Sequence, residues 1–324
     1  MTKAIRIHRT GGPEVMAWED VEVGAPGAGE VRLKQTAIGL NYIDIYHRSG
    51  VYKTPLPMCL GLEAAGVVEE LGDGVSELRV GDRVCYGTGP LGAYSEARVM
   101  PAEKLLKTPA GIDDKQAAAI MLQGMTAQYL IRHTFRVEPG MTVLFHAAAG
   151  GVGTIACQWL KHLGATVIGT VGSAEKAELA KANGCDHTIN YTTENFVERV
   201  AEITGGAGVP VVYDAVGLAT WEGSLDCLAR RGMMVIFGNA SGMVPSIDPM
   251  VLNQKGGLYL TRPSIVHYTA TRDELVGTAN ELFEVIGTGA VKIAARQTYA
   301  LKDAAQAHRD LERRKTTGST VLLA

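Results

Sequence analysis

Long hydrophobic runs, paired cysteines and a large excess of one charge are all missing from this 324-residue sequence. No run of about 18 apolar residues is present to cross a bilayer as a helix. The segment Met1 to Arg6 lacks the apolar core of a signal peptide. The five cysteines are widely spaced and never form C-x-x-C, so we expect reduced thiols and a cytoplasmic protein. These cysteines are Cys59, Cys85, Cys157, Cys185 and Cys227.

The charge balance and the composition are those of an ordinary soluble enzyme. Lysine and arginine number 31 against 34 acidic residues, which gives a formal net charge of −3. This balance argues against nucleic-acid binding and against a polybasic membrane anchor. The 39 glycines indicate many tight turns and α/β crossovers. The length exceeds what one typical hydrophobic core supports, so we expect two domains.

The pattern of apolar residues changes along the chain. Residues 1–124 show short alternating strands separated by glycine and proline, which predicts a mainly antiparallel β domain. Residues 125–261 alternate short apolar runs with helical patterns, which predicts a doubly wound parallel sheet. Residues 262–324 are helical and end in a strand over 319–323 that we expect to rejoin the first domain. The sequence therefore predicts an α/β protein in which the parallel-sheet domain, 125–261, is inserted into the β domain.

A glycine-rich segment lies between a predicted strand, residues 142–146, and a predicted helix, residues 151–163. Ala148, Gly150 and Gly153 occupy the three positions of the dinucleotide fingerprint G-x-G-x-x-G, with alanine in place of the first glycine. The last glycine lets the helix pack closely on the strand, and the helix N-terminus attracts a pyrophosphate. Four further βα units support nucleotide binding over an unliganded turn.

The type of nucleotide follows from a missing acidic residue. An NAD site usually places Asp or Glu about 20 residues beyond the first glycine, yet residues 147–174 contain neither. The second strand ends instead at Gly172 and Ser173, with Lys176 one turn further. A small uncharged turn followed by lysine suits the 2′-phosphate of NADPH, although Lys176 could also be a solvated helix lysine.

Seven short segments spread over nearly the whole chain form a specific combination. They are residues 11–15 (GGPEV), 38–44 (IGLNYID), 61–68 (GLEAAGVV), 80–84 (VGDRV), 146–153 (HAAAGGVG), 253–256 (NQKG) and 304–308 (AAQAH). Together they resemble the zeta-crystallin type of quinone oxidoreductase, in the zinc-free branch of the medium-chain dehydrogenase/reductase family. The resemblance implies a Rossmann domain that binds NADPH, inserted into a GroES-like catalytic domain.

The resemblance also implies the residues that contact the cofactor. Lys176, Tyr191 and Arg314 are expected around the adenosine 2′-phosphate, although Arg314 could be a helix C-terminal charge and Tyr191 a plain strand residue. The pyrophosphate is expected at the fingerprint, and the nicotinamide end at the segments after two later strands. The full set is Tyr42, Ile43, Asp44, Tyr46, Tyr129, Gly150, Gly151, Val152, Gly153, Gly172, Ser173, Lys176, Tyr191, Val216, Gly238, Asn239, Ala240, Ser241, Pro263, Ser264, Ile265 and Arg314.

Metal ligands are absent where alcohol dehydrogenases of the same family hold a catalytic zinc. Asn41 stands in place of the ligating cysteine, and Leu62 in place of the histidine. The four-cysteine lobe of a structural zinc is missing as well. Because tetrahedral zinc needs thiolate or imidazole ligands, we expect no metal.

Without a metal, the acceptor itself has to spread the charge that arrives with a hydride. A quinone does so over its conjugated ring, and an enone through its enolate, whereas a simple ketone benefits from zinc. The polar groups expected at the acceptor are Asn41, Tyr46, Tyr52 and Arg262, with a tyrosine hydroxyl or a water as proton donor. The two tyrosines could equally pack structurally or bind only NADPH.

One alternative activity and the mode of dimerisation stay open at the level of sequence. An NADPH-dependent 2-alkenal or enoyl reductase on the same fold would carry much the same residues. Relatives also dimerise through an edge strand of the nucleotide domain, for which residues 258–261 and 232–237 are candidates in a homodimer.

Overall fold

The computed structural model describes residues 2–324. The chain divides into two compact units. The first contains the residues up to Met125 together with Thr269–Phe283 and Ile293–Ala324, and the second contains Thr126–Tyr268 and Glu284–Lys292. Residues 262–268, which the sequence analysis assigned to the first domain, lie in the second unit. So do residues 284–292, because the C-terminal end of one long helix packs there.

The strands, in chain order, are β1 (Thr2–Ile7), β2 (Met16–Val21), β3 (Glu30–Leu40), β4 (Met58–Cys59), β5 (Ala64–Leu71), β6 (Arg83–Tyr86), β7 (Ala97–Pro101), β8 (Leu106–Lys107), β9 (Thr142–Phe145), β10 (Thr166–Val171), β11 (His187–Asn190), β12 (Val209–Asp214), β13 (Leu228–Ile236), β14 (Tyr259–Thr261), β15 (Ala295–Ala300) and β16 (Ser319–Leu323).

The helices, in chain order, are α1 (Tyr42–Ser49), α2 (Asp114–Ala118), α3 (Met121–Tyr129), α4 (Gly151–His162), α5 (Ala174–Ala182), α6 (Phe196–Ile203), α7 (Trp221–Asp226), α8 (Pro249–Gln254), α9 (Ile265–Tyr268), α10 (Arg272–Gly287) and α11 (Ala304–Glu312). Among residues 2–324, no helix is long and apolar enough to span a membrane.

The second unit is built on a six-stranded parallel sheet with the order β11-β10-β9-β12-β13-β14. Its central strands β9, β10 and β12 are almost continuous apolar runs, as strands buried on both faces should be. In β10, for example, every residue after Thr166 is buried. The strand order reverses between β9 and β12. Their neighbouring carboxyl ends form the switch point at which open α/β sheets bind ligands.

The first unit is mainly antiparallel. Seven strands form one sheet in the order β15-β16-β3-β5-β6-β8, with β7 also paired to β3, and β2-β1-β4 form a smaller sheet. Only β15 and β16 run parallel. The C-terminal strand β16 pairs with β3, so the expectation that the tail rejoins the first domain is confirmed. An apolar core that includes Ile5, Leu33 and Leu322 lies in this unit.

The fold class predicted from the sequence is confirmed, and the C-terminal strand β16 has the predicted bounds, 319–323. Helix α1 was not predicted, although Asn41 and Asp44 form a capping box at its start. The last helix of the region predicted as helical, α11, ends at Glu312, two residues before Arg314, which adopts a left-handed φ of 57°.

Candidate active site

The turn between β9 and α4 brings the end of the strand and the start of the helix into close backbone contact. A Cβ atom on Gly153 would lie 2.4 Å from the carbonyl oxygen of Ala147 and 2.7 Å from that of Ala148. Gly150 caps the helix in an extended conformation. The first N–H groups of a helix have no partner inside it, so Gly151 and Val152 begin an anion-binding end. This cradle fits the pyrophosphate of a dinucleotide.

The turn after β10 gathers the residues expected at the adenosine 2′-phosphate. The Ser173 hydroxyl accepts from the N–H of Lys176 at 3.2 Å and caps α5. A Cβ atom on Gly172 would lie 2.5 Å from the Tyr191 hydroxyl, and Tyr191 is 37% exposed. The structure therefore brings Gly172, Ser173, Lys176 and Tyr191 together. Only a glycine at 172 leaves the tyrosine hydroxyl room at this turn.

Asp214, at the end of β12, organises the loops at the switch point through its fully buried carboxylate. Its Oδ1 accepts from the N–H groups of Val216 at 2.7 Å and Gly217 at 3.0 Å. The Ser241 hydroxyl donates to the Val216 carbonyl at 2.8 Å and accepts from the Ala219 N–H at 2.9 Å. Val216 and Ser241, both expected at the cofactor, thus lie in one cross-linked pair of loops.

A neutral histidine, His146, is linked by hydrogen bonds to the network of Asp214. Asp214 Oδ2 accepts from the hydroxyls of Thr220 at 2.7 Å and Ser224 at 2.9 Å. His146 contacts the Ser224 hydroxyl through Nε2 at 3.0 Å and the Thr170 hydroxyl through Nδ1 at 2.8 Å. Burial lowers the pKa of His146. The imidazole is therefore a structural link between three strand ends.

The residues expected at the nicotinamide end cluster around Arg262. Its Nη1 donates to the Pro263 carbonyl at 3.2 Å. In the orientation that satisfies both ends of the Asn239 amide, the amide oxygen accepts from Arg262 Nη2 at 3.3 Å. The Tyr129 ring stacks on that of Tyr268 with centroids 4.6 Å apart, and burial raises the pKa of Tyr129. The same segments, after β13 and β14, contain Gly238, Ala240, Ser264 and Ile265.

In the first unit, three tyrosines on and after α1 pack as a ladder of tilted rings. The centroids of Tyr42 and Tyr46 are 5.5 Å apart, and those of Tyr46 and Tyr52 are 5.3 Å apart. Tyr46 is buried, whereas Tyr42, Tyr52 and the neighbouring Ile43 are half-buried. Ring packing therefore holds all three tyrosines in fixed positions.

Asn41 caps α1, and both ends of its side-chain amide are hydrogen-bonded to buried side chains. The nitrogen Nδ2 donates to Glu63 Oε2 at 2.6 Å, and the oxygen Oδ1 accepts from Gln123 Nε2 at 3.0 Å. Gln123 Oε1 in turn accepts from the Ser319 hydroxyl at 2.6 Å. All four side chains are buried. Nothing in the sequence motif pointed to Gln123 or Ser319, which reach Asn41 from distant parts of the chain.

Glu63 fills the space beside Asn41. Its Oε1 accepts from the N–H of Leu122 at 2.8 Å, at the start of α3. A Cβ atom on Gly39 would lie 2.1 Å from its Oε2, so only glycine fits at position 39. Burial raises the pKa of Glu63 to about 8, against the lowering effect of the bonds from Asn41 and Leu122. The neutral acid therefore dominates near neutral pH.

Asp44 terminates a second buried chain of side chains. Its Oδ2 accepts from the backbone N–H of Asn41 and from the Tyr94 hydroxyl, each at 2.9 Å. The Tyr94 oxygen lies 3.0 Å from His308 Nε2, and His308 Nδ1 lies 2.9 Å from Arg48 Nη1. Because arginine only donates, His308 accepts at Nδ1 and carries its proton on Nε2. The chain then runs in one direction, from Arg48 through His308 and Tyr94 to Asp44.

Burial sets the protonation of this chain. Burial, assisted by the Arg48 charge, lowers the pKa of His308 to about 3, and burial raises the pKa of Asp44 to about 7. Asp44 was expected at the cofactor, but its side chain is completely buried. Its carboxylate instead accepts a hydrogen bond from the backbone N–H of Asn41. His308 and Arg48 explain two of the resemblance motifs, since Arg48 also bonds the carbonyl of Gly11 at 3.1 Å.

Arg314 lies in the first unit, one residue beyond the C-cap of α11. It is exposed and lies close enough to lower the pKa of Tyr42, against a larger rise from burial. Arg314 therefore follows the helix rather than lying in its last turn, and its role at the 2′-phosphate or as a helix C-terminal charge stays a prediction.

The described residues, 2–324, contain no cluster of three or more His, Cys, Asp or Glu side chains that could hold a metal ion. Leu62 is half-buried next to Glu63, and the Asn41 amide is occupied by Glu63 and Gln123. Burial raises the pKa of Cys59 to about 12, so this nearby thiol is a poor ligand at neutral pH.

Stability should depend on pH through Asp44. A carboxyl whose pKa is raised by folding contributes stability that is complete below about pH 4 and is lost as the pH rises through about 7. Replacing Asp44 with Asn removes this dependence, because the amide oxygen still accepts both hydrogen bonds. We expect the Tm of D44N minus that of the wild type to increase from about pH 5 to about pH 8.

Differential scanning calorimetry across this range measures the difference. The matched control is D73N, at an exposed turn aspartate, whose Tm should follow the wild type at every pH. A constant difference between D44N and the wild type would show that Asp44 is ionised throughout.

Comparison with known proteins matches both units. Residues 27–110 match the alcohol dehydrogenase GroES-like domain, and residues 151–284 match the zinc-binding dehydrogenase family. The chain is 54% identical to the quinone oxidoreductase of Pseudomonas aeruginosa, with 100% of both chains covered. It is 50% identical to the 2-haloacrylate reductase of a Burkholderia species, with 100% of this chain and 99% of that one covered.

Solved structures agree with these matches. The Escherichia coli quinone oxidoreductase complexed with NADPH superposes with a TM-score of 0.97 at 51% identity, over 99% of this chain and 100% of that one. The resemblance drawn from the seven sequence segments is confirmed. The chain therefore belongs to the quinone oxidoreductases of the medium-chain dehydrogenase/reductase family.

Proposed function

We propose that this protein reduces small quinones with hydride from NADPH and uses no metal. The observation that carries the proposal is the position of Asn41. Where alcohol dehydrogenases of the family place a zinc ligand, this chain holds a neutral amide between Glu63 and Gln123. A neutral hydrogen-bond donor suits an acceptor that spreads the incoming charge by itself.

The second unit would hold the cofactor. The backbone at Gly150, Gly151, Val152 and Gly153 would bind the pyrophosphate at the N-terminus of α4. Lys176 and Tyr191 would bind the 2′-phosphate, for which Arg314 is a further candidate. The loops that contain Val216, Ser241 and Asn239 would bind the nicotinamide end, along with Pro263 and Tyr129. When bound, NADPH supplies the hydride.

The chain's own groups would bind and orient the acceptor. The Asn41 amide, with the hydroxyls of Tyr46 and Tyr52 and the guanidinium of Arg262, would donate hydrogen bonds to the acceptor oxygens as negative charge develops there. Ring packing of the tyrosines fixes their positions before the acceptor arrives, so little ordering is needed on binding.

A second candidate function is reduction of a 2-alkenal or enone. The observation that favours it is the 50% identity to a 2-haloacrylate reductase over the full chain. A conjugated alkene also delocalises the incoming charge, so the same amide and hydroxyl groups would serve it. The two functions differ in the acceptor alone.

We further propose a cytoplasmic homodimer. All five cysteines are free thiols in the structure, which suits a reducing compartment. Strand β14 lies at the end of its sheet and pairs only with β13. Its Tyr259 side chain is 60% exposed. An exposed edge strand of this kind can pair with the same strand of a second copy.

Cofactor preference tests the 2′-phosphate site. The turn at Gly172 and Ser173 contains no acidic residue, and the first turn of α5 carries Lys176 beside Glu175. Each charge-assisted hydrogen bond to the 2′-phosphate is worth about 1.5–3 kcal/mol. We expect kcat/KM for NADPH to exceed that for NADH by about a hundredfold or more. In K176M the preference should fall about tenfold or more. K181M, on the exposed side of the same helix α5, is the control. Equal kcat/KM for the two cofactors in the wild type would contradict the assignment.

The cradle is tested by Gly153→Val. The added side chain would have to displace the backbone of Ala147 and Ala148, at an overpacking cost of about 1–3 kcal/mol. We expect the Kd for NADPH, measured by calorimetric titration, to rise about tenfold or more. Gly277→Val in the exposed middle of α10 is the control, because a Cβ atom there meets no other atom within 4 Å. Unchanged NADPH binding by folded G153V would rule out the cradle.

The acceptor is tested with a substrate panel. With NADPH, we expect turnover of small quinones, slower turnover of enones, and no oxidation of ethanol with NADP⁺. In N41A and Y46F, kcat/KM for the quinone should fall by a factor of about 10–100, since one lost hydrogen bond costs about 1–3 kcal/mol. A higher Kd for NADPH with unchanged kcat would instead assign these groups to the cofactor. Faster turnover of alkenals than of every quinone would favour the second candidate.

A further inference from the structure

The buried chain Glu63–Asn41–Gln123–Ser319 can hold its hydrogens in two ways. Its contacts are 2.6 Å from Glu63 to the Asn41 amide, 3.0 Å between the two amides, and 2.6 Å from the Gln123 amide to the Ser319 oxygen. Ser319 also lies 2.7 Å from the carbonyl oxygen of Ala119. Each amide can be turned by 180° about its terminal bond without moving the others.

In the first pattern Glu63 is an ionised carboxylate. Asn41 donates to Glu63, Gln123 donates to Asn41, and Ser319 donates to Gln123. The serine hydroxyl has one hydrogen, so the Ala119 carbonyl, only 2.7 Å away, receives none from it. This pattern therefore satisfies the carboxylate but leaves two oxygens in contact at the far end of the chain.

In the second pattern Glu63 is a neutral acid and both amides are reversed. Glu63 donates to the Asn41 oxygen, the Asn41 nitrogen donates to Gln123, and the Gln123 nitrogen donates to Ser319. The serine is then free to give its hydrogen to Ala119, so each contact of the chain, including that to Ala119, has one donor and one acceptor. A distance of 2.6 Å between Glu63 and Asn41 suits O–H···O, and the same distance at Ser319 suits O–H···O in the first pattern. Each pattern therefore places one O–H···O bond and one short N–H···O bond at the two ends of the chain.

We propose that Glu63 is the positioning residue for Asn41: it fixes which end of the Asn41 amide is the donor, and one proton on Glu63 reverses the amides of Asn41 and Gln123 together. The inference rests on the proposed function, in which Asn41 donates to the acceptor. The amide nitrogen has two hydrogens, and the chain uses one. Reversal moves the other hydrogen to the opposite end of the amide, so only one pattern aims it at a given acceptor oxygen.

The neutral pattern is the competent one, because it satisfies the whole chain and is the form that dominates near neutral pH. Groups facing Glu63 come from several elements. Asp44 of α1 disfavours a second charge, and the N–H of Leu122 at the start of α3 favours one. Cys85 and Tyr86 of β6 stay neutral, since burial raises the pKa of each. Glu63 is therefore the group that titrates in this cluster on the alkaline side of neutrality.

The test compares pH profiles of kcat with a small quinone and saturating NADPH. In the wild type, kcat should fall through a single ionisation near pH 8, about tenfold per pH unit above it. Glu63→Gln locks the neutral pattern, since its nitrogen donates to Asn41 while its oxygen accepts from Leu122. This alkaline limb should vanish, so that near pH 9 E63Q is faster than the wild type by about tenfold. E70Q, an exposed position on the same strand β5, should keep the wild-type profile.

An alkaline limb that persists in E63Q with an unchanged midpoint overturns the proposal. So does a kcat for E63Q that lies below the wild type at every pH, with unchanged NADPH binding and Tm. A purely structural role for Glu63 would lower stability in E63Q without abolishing an ionisation.

A second readout does not require quinone turnover. The side-chain NH₂ signals of Asn41 and Gln123, assigned through N41D and Q123E, are followed by ¹⁵N NMR in the wild type and E63Q. We expect both signals to move with one midpoint near pH 8 in the wild type and to stay fixed in E63Q. Signals that do not titrate in the wild type overturn the reversal. A titration without any quinone reduction leaves the reversal standing and removes the proposed function instead.

Discussion

Asn41 is held from two sides by buried carboxyl groups, and the candidate acceptor site of the first unit depends on this constraint. Asp44 binds its backbone N–H and Glu63 binds its side chain. Both carboxyls lie beyond the reach of solvent, where an unpaired charge is costly. The surrounding structure therefore has to supply partners, and these partners come from far along the chain.

The need for hydrogen-bond partners of Asp44 and Glu63 explains several features of the first unit that otherwise look unrelated. Gly39 has no side chain because Glu63 fills that space. The chain from Arg48 through His308 and Tyr94 brings α11 against α1 and satisfies Asp44. The C-terminal strand contributes Ser319 to the other chain. Segments that are hundreds of residues apart in the sequence are thus linked to Asn41 through hydrogen bonds.

The second unit holds the residues of its candidate site in position in a different way. Its site is shaped by backbone approach at Gly153 and by Asp214, which collects the N–H groups of a loop and two hydroxyls. His146 completes the link as a neutral ring. These groups do not need to contact the cofactor. They fix the strand ends and loops that would.

Sequence patterns predicted the fold well because local periodicity and the glycine fingerprint are short-range signals. The parallel sheet, the cradle and the returning strand β16 were all found in this way. Helix α1 was missed because Tyr42 to Ser49 is short, although the pairing of Asn41 with Asp44 was a readable capping signal. Gln123 and Tyr94 could not be found, since hydrogen bonds across long sequence separations leave no periodic trace.

The central claim is that hydride passes from NADPH to a quinone in a site without a metal. The most direct measurement is single-turnover reduction of benzoquinone by NADPH that is deuterated in turn on each face of C4, after dialysis of the protein against a chelator. The account predicts one hydroquinone per NADPH oxidised and a primary isotope effect from one face only. Activity that is lost on chelation and restored by zinc, or NADPH oxidation without hydroquinone formation, would contradict it.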